Sequence, residues 1–518
     1  MATARERLAT SLEVLERLQR DGRRVFHTGE LTRVHRERLV ANGYLRRVTN
    51  GWLISSAPAA APDDPTPWYA AFREFCARYC ERRFGKRWWL SAELSALWHG
   101  GNTAIPEQVV VHAPEGGNNR IELPFGTTLF DVRDRREPGP GEDLEADGLR
   151  LLTPASAAVR VSPAFFRAHP VEAQVLLSTV RDASQLLVPL LDGGRSVVAG
   201  RLAGAFRRTH RPQVADEILG AMRAAGQVVR ETDPFDSGVS TSQFSTPAPA
   251  ARRLRALWDQ FREPVLDVFP PAPGLSRSPQ AVLLEVNDIY RTDAYHSLSI
   301  EGYRVSPELV ERVRTGKWDP EGADRGERDA LAAFGYWGAF RRVRDAVARV
   351  LQGEAAGKLA RAEHLEWHRE LFAPSVTAGI LPAHALAGYR TQPVYIRGSR
   401  YVPPRADAVL DAMETLFDLL AGEPEPAVRA VLGHWALGAV HPWPDGNGRL
   451  ARFLMNLMLC SGGYPWTVIR VEHRAEYMAA LDEASSGQRI EPLAGFLAAR
   501  TVPAPPTGVS SDGTAGAA

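Results

Sequence analysis

Leucines at 8, 12, 15 and 18 recur at helical spacing among polar residues, which predicts an amphipathic helix over 6–21. Asp21-Gly22 ends it. Thr28 can cap a short helix over 29–33, and 35–41 fits a second. The apolar runs 44–48 and 52–54 flank Thr49-Asn50-Gly51, and Asn-Gly between such runs predicts a hairpin. Helix, helix-turn-helix and two-stranded wing make a winged helix-turn-helix over residues 1–56. The stretch 57–66, APAAAPDDPT, predicts a linker.

From 67 to 228 the pattern alternates. Helices are predicted over 68–82 and 90–98, strands over 108–112 and 120–123, and helical spacing returns over 171–191 and 214–225. This is an α+β domain. Polar residues with Ser, Thr and Pro fill 231–250, which predicts the major boundary. From 251 to 500 the pattern is almost all helical, with segments at 282–297, 328–351, 360–371, 406–420, 427–440, 450–459 and 474–484. One interruption, TQPVYIRGSRYV at 391–402, predicts a short β-hairpin closed by Pro403-Pro404. The tail 501–518 is expected to be disordered. No solenoid-type repeat is evident. The expected organisation is therefore multidomain.

Composition narrows the class. At 518 residues, 44% hydrophobic and 24% charged, the chain is of globular type and too long for one core. Its net charge of +1 gives no global pull towards nucleic acid. Residues 1–50, however, hold an arginine-rich excess of about +5. With three cysteines, a disulfide scaffold is excluded. Cys76 and Cys80 lack neighbouring ligands and read as buried apolar groups, not half of a zinc site. Neither a signal-peptide core nor a run of ~20 apolar residues is present, so a cytoplasmic location without membrane contact is expected.

The densest chemistry lies in HPWPDGNGRLAR, 441–452. Pro442 closes one helix and a second begins near Leu450, so DGNG lies at a helix N-terminus, where backbone N–H groups attract anions. Gly446 and Gly448 permit positive φ and close approach to phosphate. Asn447 adds an amide donor. Arg449 and Arg452, three apart, offer guanidinium forks to phosphate oxygens. Asp445 is a hard oxygen ligand suited to Mg²⁺. His441 can accept a proton near neutral pH. Each feature alone has a structural explanation; their order and spacing favour nucleotide chemistry.

This motif resembles that of the Fic family, His-x-Phe-x-Asp/Glu-Gly-Asn-Gly-Arg-x-x-Arg, with Trp443 where Phe is usual. The intact GNGR separates it from the kinase-like Doc branch. The resemblance implies an all-α Fic domain and transfer of AMP from ATP, with Mg²⁺, to a Ser, Thr or Tyr hydroxyl of a protein. It implies His441 as base, Asp445 as metal ligand, Gly446, Asn447 and Gly448 as the anion hole, and Arg449 and Arg452 as the phosphate clamp. Residues 388–404 resemble the family's flap, a hairpin that aligns the target by strand addition. Tyr477 falls where the family's tyrosine lines the adenosine pocket. Ser297-Leu298-Ser299-Ile300-Glu301-Gly302 resembles the inhibitory motif, in which Glu301 would take Arg452 from the γ-phosphate. Ser-x-x-x-Glu also resembles the start of a helix closed by a capping box.

Residues 26–55 resemble the N-terminal domain of AbiEi-like antitoxins, and the stretch to 228 resembles their second domain. That implies DNA binding through residues 1–56, with 35–41 as the recognition helix. The leading expectation is an autoinhibited AMP-transferring enzyme fused to a DNA-binding half, and a homodimer is compatible with it. An ATP-sensing transcriptional regulator and a Fic enzyme that removes AMP remain the alternatives.

Overall fold

The computed structural model describes residues 3–235, 248–317 and 328–501. Residues 502–518 of the predicted tail lie outside them, as does much of the predicted 231–250 linker, while Thr501 is helical. The chain forms two compact units, Met1–Gln260 with Arg390–Thr415, and Phe261–Tyr389 with Leu416–Ala518.

The first unit begins with α1 (Ala4–Leu18), β1 (Val25–His27), α2 (Arg33–Ala41), β2 (Leu45–Thr49) and β3 (Trp52–Ser55). β3 pairs antiparallel with both other strands. Thr32 caps α2 through its side chain, and Gly51 makes the hairpin turn at φ 83°. Leu15, Phe26, Leu31, Leu39, Leu45 and Leu53 form the small core. β1 escapes the sequence pattern because three residues are too few to show alternation. Much of the arginine excess is spent internally. Arg46 donates to the carbonyls of Ala60 and Ala61 at 2.9 and 2.7 Å, and Arg38 to Arg7 O and Ser11 Oγ at 2.7 and 2.8 Å.

Next come α3 (Thr66–Phe84), β4 (Trp89–Leu90), α4 (Ala92–His99), β5 (Gln108–Ala113), β6 (Asn119–Glu122) and β7 (Thr128–Arg133). The sheet order is β4-β5-β7-β6, with β5 and β7 parallel and the other pairs antiparallel. The two-stranded β8 (Asp143–Ala146) and β9 (Leu149–Leu152) follow. Trp68, Phe72 and Phe75 of α3 join Trp52 and Ile54 of β3 to Val109, Val111 and Leu129 in one core. Cys76 and Cys80 face into it, and burial pushes the Cys76 thiol up to about 12.

A helical layer completes the unit with α5 (Pro154–Arg160), α6 (Pro163–Ala168), α7 (Pro170–Thr179), α8 (Ser184–Asp192), α9 (Ser196–Arg208) and α10 (Pro212–Ala224). The helix expected over 171–191 is two helices. Asp182 Oδ1 accepts from the N–H of Ser184 at 2.7 Å, so a side chain takes the bond that would otherwise continue the helix.

α11 (Pro249–Val268) leads into the second unit, which holds α12 (Pro279–Ile300), α13 (Pro307–Arg314), α14 (Arg328–Leu351) and α15 (Ala356–Thr377). After α16 (Val409–Gly422) come α17 (Pro426–Val440), α18 (Asn447–Ser461), α19 (Arg474–Ser485) and α20 (Glu491–Thr501). α14 and α15 cross closely: a Cβ on Gly335 would lie 2.1 Å from the carbonyl oxygen of Leu371. α17 and α18 are buried along almost their whole length. Among the described residues no helix is long and apolar enough to cross a membrane.

The hairpin expected over 391–402 does not form; these residues contain no strand. Pro393, Pro403 and Pro404 remove donors from any ladder. Two backbone groups of the stretch bond elsewhere in the first unit. Gly398 N–H donates to Thr66 Oγ1 at 3.0 Å, and Arg400 O accepts from Ile105 N–H at 2.9 Å. Arg390, buried, donates to the carbonyls of Gln392 and Pro404.

Candidate functional site

α17 is stopped at Val440 by His441, which adopts the left-handed conformation at φ 51° and ψ 58°. The chain then turns through Pro442–Asp445 to Gly446, at φ 89°, which stands before the first residue of α18. No side chain caps α18, so its leading N–H groups face the loop with their dipole. Gly446 uses the conformational freedom of glycine, as expected. Gly448 is an ordinary helical residue, and what it supplies is space: a Cβ there would lie 2.2 Å from Glu301 Oε1.

His441 Nδ1 lies 3.2 Å from the Gly438 carbonyl, so Nδ1 carries the proton and Nε2 is the basic nitrogen. Asp445 is half-exposed, at 51% of its side chain, and its Oδ1 accepts from Gly446 N–H at 2.6 Å and from Arg449 Nη2 at 3.1 Å. Asn447 takes a different part from that expected of it. Its Oδ1 accepts from Trp443 N–H at 3.1 Å and its Nδ2 donates to Trp443 O at 2.8 Å, so the amide braces the loop. Trp443 is wholly buried, stacked on His368 at 4.7 Å between centroids and 10° between planes, with Tyr389 edge-on at 5.6 Å. Burial, reinforced by Arg449, lowers the pKa of His368 to about 4, so it packs as a neutral ring.

Both arginines are buried, Arg449 1% and Arg452 3% exposed. The guanidinium carbon of Arg449 lies over both the Tyr303 and the Phe372 ring, 5.1 and 5.0 Å from their centroids. Among the described residues its Nε has no hydrogen-bond partner. Arg452 Nη2 donates to Glu301 Oε1 at 2.7 Å and to Ser297 O at 3.0 Å, and Nε donates to Ser297 Oγ at 2.9 Å. Burial opposes its charge, but Glu301, Tyr477 and Tyr336 outweigh that and hold its pKa above the usual arginine value. Ser297 lies in the last turn of α12 and Glu301 is its C-terminal cap, so the segment ends a helix and is no N-terminal capping box. Tyr477 is buried, its hydroxyl 2.7 Å from His434 Nε2 and its ring stacked on Phe496.

The motif residues, Ser297, Glu301 and Tyr477 thus converge within one unit. The sequence pattern did not single out Tyr303, Phe372 and His368, and it placed Tyr389 in the flap segment, not against Trp443; the partners of all four lie far along the chain. Glu301 and Arg452 are 151 positions apart. The only signal available was Trp443 itself: a larger ring in place of Phe demands a flat partner.

Residues 358–459 match the Fic/DOC family model, so this stretch is distantly homologous to that family. The protein adenylyltransferase fic-1 of Caenorhabditis elegans is 29% identical over 224 residues, 41% of this chain and 40% of that protein. The protein adenylyltransferase Fic of Nematostella vectensis is 38% identical over 120 residues, 22% of this chain and 28% of that protein. The chain thus spans less than half the length of either relative. A solved fragment of Fic-1 from C. elegans overlays with a TM-score of 0.36 at 19% identity, over 65% of this chain and 96% of the fragment.

Proposed function

We propose that this protein transfers AMP from ATP to a Ser, Thr or Tyr hydroxyl of a protein and that Glu301 restrains the transfer. The observation that carries the reading is the state of the two buried arginines. Arg449 keeps an unpartnered Nε beside an uncapped helix N-terminus, and Arg452 has its guanidinium taken up by Glu301. A buried, incompletely bonded guanidinium is costly unless an anion completes it.

In the mechanism, ATP lays its phosphates across the N–H groups of Gly446, Asn447 and Gly448, with Arg449 and Arg452 as the clamp. His441 Nε2 accepts the proton of the target hydroxyl. The oxygen attacks the α-phosphorus, the bond to the bridging α–β oxygen breaks, and pyrophosphate leaves. Asp445 is exposed enough to hold Mg²⁺, which would supply charge neutralisation at the phosphates. Among the described residues no group of three or more His, Cys, Asp or Glu side chains could hold a metal, so phosphate oxygens and water would complete the shell of an ion held by Asp445. Tyr477 contributes from the adenosine side, close to Arg452. Glu301 acts by competition: while it holds Arg452, the phosphate tail lacks one fork and the α-phosphate is misaligned.

Residues 1–56 are read as the DNA-contacting part, with Arg33 and Val34 exposed on α2 and Arg47 exposed near the Asn50-Gly51 turn. The enzymatic reading is tested by intact mass after incubation with ATP and Mg²⁺. Glu301→Gly gains one or more AMP adducts, and Glu301→Gly/His441→Ala gains none. An unmodified Glu301→Gly chain that also labels no protein in a lysate overturns it.

A further inference from the structure

The turn that carries Glu301 carries a second contact. Glu301 caps α12, Gly302 follows at φ 87°, and Tyr303 comes next. Gly302 N–H donates to Ser299 O at 3.0 Å and Tyr303 N–H to Leu298 O at 3.1 Å. This bond pair is a Schellman motif, which fixes the direction of the two residues beyond a helix end. One backbone motif therefore aims both side chains, Glu301 at Arg452 and the Tyr303 ring at Arg449. The Phe372 ring also lies against the Arg449 guanidinium, at 5.0 Å, and the guanidinium of Arg328 lies over the Tyr303 ring, at 5.4 Å.

A ring packed against a guanidinium leaves its N–H edge free to donate. The two ring contacts restrict the Arg449 guanidinium inside the core, where it is 1% exposed. The edge of Arg449 reaches Asp445 through Nη2 and retains the unpartnered Nε. We propose that Tyr303 is a positioning residue for Arg449: with Phe372 it holds the guanidinium plane so that its edge is presented to the phosphates. The proposal rests on the reading of Arg449 as a phosphate ligand. It gives neighbouring side chains opposite signs. Glu301 withholds one arginine, while Tyr303, two residues on, readies the other. Removing the whole segment would then fall short of the activity released by removing Glu301 alone.

The test is nucleotide binding by calorimetry to the full chain carrying Glu301→Gly and His441→Ala, so that no turnover occurs. ATP with Mg²⁺ and adenosine are the two probes. Adding Tyr303→Leu raises the Kd for ATP about three- to tenfold, the range a cation–π contact implies. Tyr303→Phe keeps the ring and restores affinity, Phe372→Leu shifts it in the same direction as Tyr303→Leu, and adenosine affinity is unchanged throughout. An unchanged ATP Kd for Tyr303→Leu, with Arg449→Ala weakened, overturns the role of Tyr303 and leaves the phosphate reading standing. If Arg449→Ala also binds ATP normally, the phosphate reading fails and the proposal with it. Equal losses for ATP and adenosine make Tyr303 merely structural and overturn the proposal.

Discussion

Asn447 is the residue whose part changed most between sequence and structure. As a loose amide beside two glycines it reads as a phosphate donor. In the fold both ends of its side chain close a ring with the Trp443 backbone. Asn447→Ala leaves a buried N–H and C=O unpaired, which costs about 1–3 kcal/mol for each group. A melting curve therefore shifts down for Asn447→Ala, and ATP affinity falls with it because the loop loses its brace. Ser297→Ala acts similarly: Arg452 Nε loses its acceptor inside the core. That variant is destabilised by about 1–2 kcal/mol by denaturant unfolding. That His441, Asp445, Arg449 and Arg452 share one loop and the helix start after it was legible because their spacing is local and fixed. Tyr303 and His368 were not, because a ring's partner is set by packing.

At the scale of elements, helix periodicity was legible wherever packing agreed with it, as in α14, α17 and α18. It failed at 391–402, where alternation suggested strands but prolines and contacts within the first unit decide the backbone. The helical stretch read over 282–297 does end at the Ser297–Glu301 motif, with Glu301 as the C-terminal cap of α12. Gly302 is what makes that end, since a side chain at φ 87° is strained. The helices around the motif also carry buried histidines. Burial lowers His364 and His368 to about 4 and His434 to about 3. A depressed folded pKa means that the unfolded chain binds the extra proton first. The stability these rings allow is complete above about pH 6.5 and is lost as pH falls towards 4, by about 1.4 kcal/mol per pH unit for each ring. Thermal unfolding from pH 7.5 to 5 should show this decline, and His434→Phe should flatten it.

For the whole molecule, the division into two units cuts across the chain order. Residues 390–415 leave the helical unit and complete the first. Tyr401 is buried there and Val402 packs against the core built on α3. Tyr401→Ala should destabilise the first unit by about 3 kcal/mol, visible as faster amide exchange at Ile105, whose N–H is held by Arg400. Long-range exchange of this kind has no sequence signature. The arginine excess at the N-terminus was legible as a count, but not how much of it the fold consumes through Arg38 and Arg46.

The central claim is that the Glu301–Arg452 contact silences a site built to move AMP. The most direct measurement compares ATP labelled at the α-phosphate with ATP labelled at the γ-phosphate, incubated with Mg²⁺ and the purified wild-type or Glu301→Gly chain, with incorporation into the chain itself as the readout. The expected result is label from the α-phosphate only, much stronger with Glu301→Gly and absent once His441→Ala is added. Label from the γ-phosphate, or equal labelling by the wild-type and Glu301→Gly chains, would contradict it.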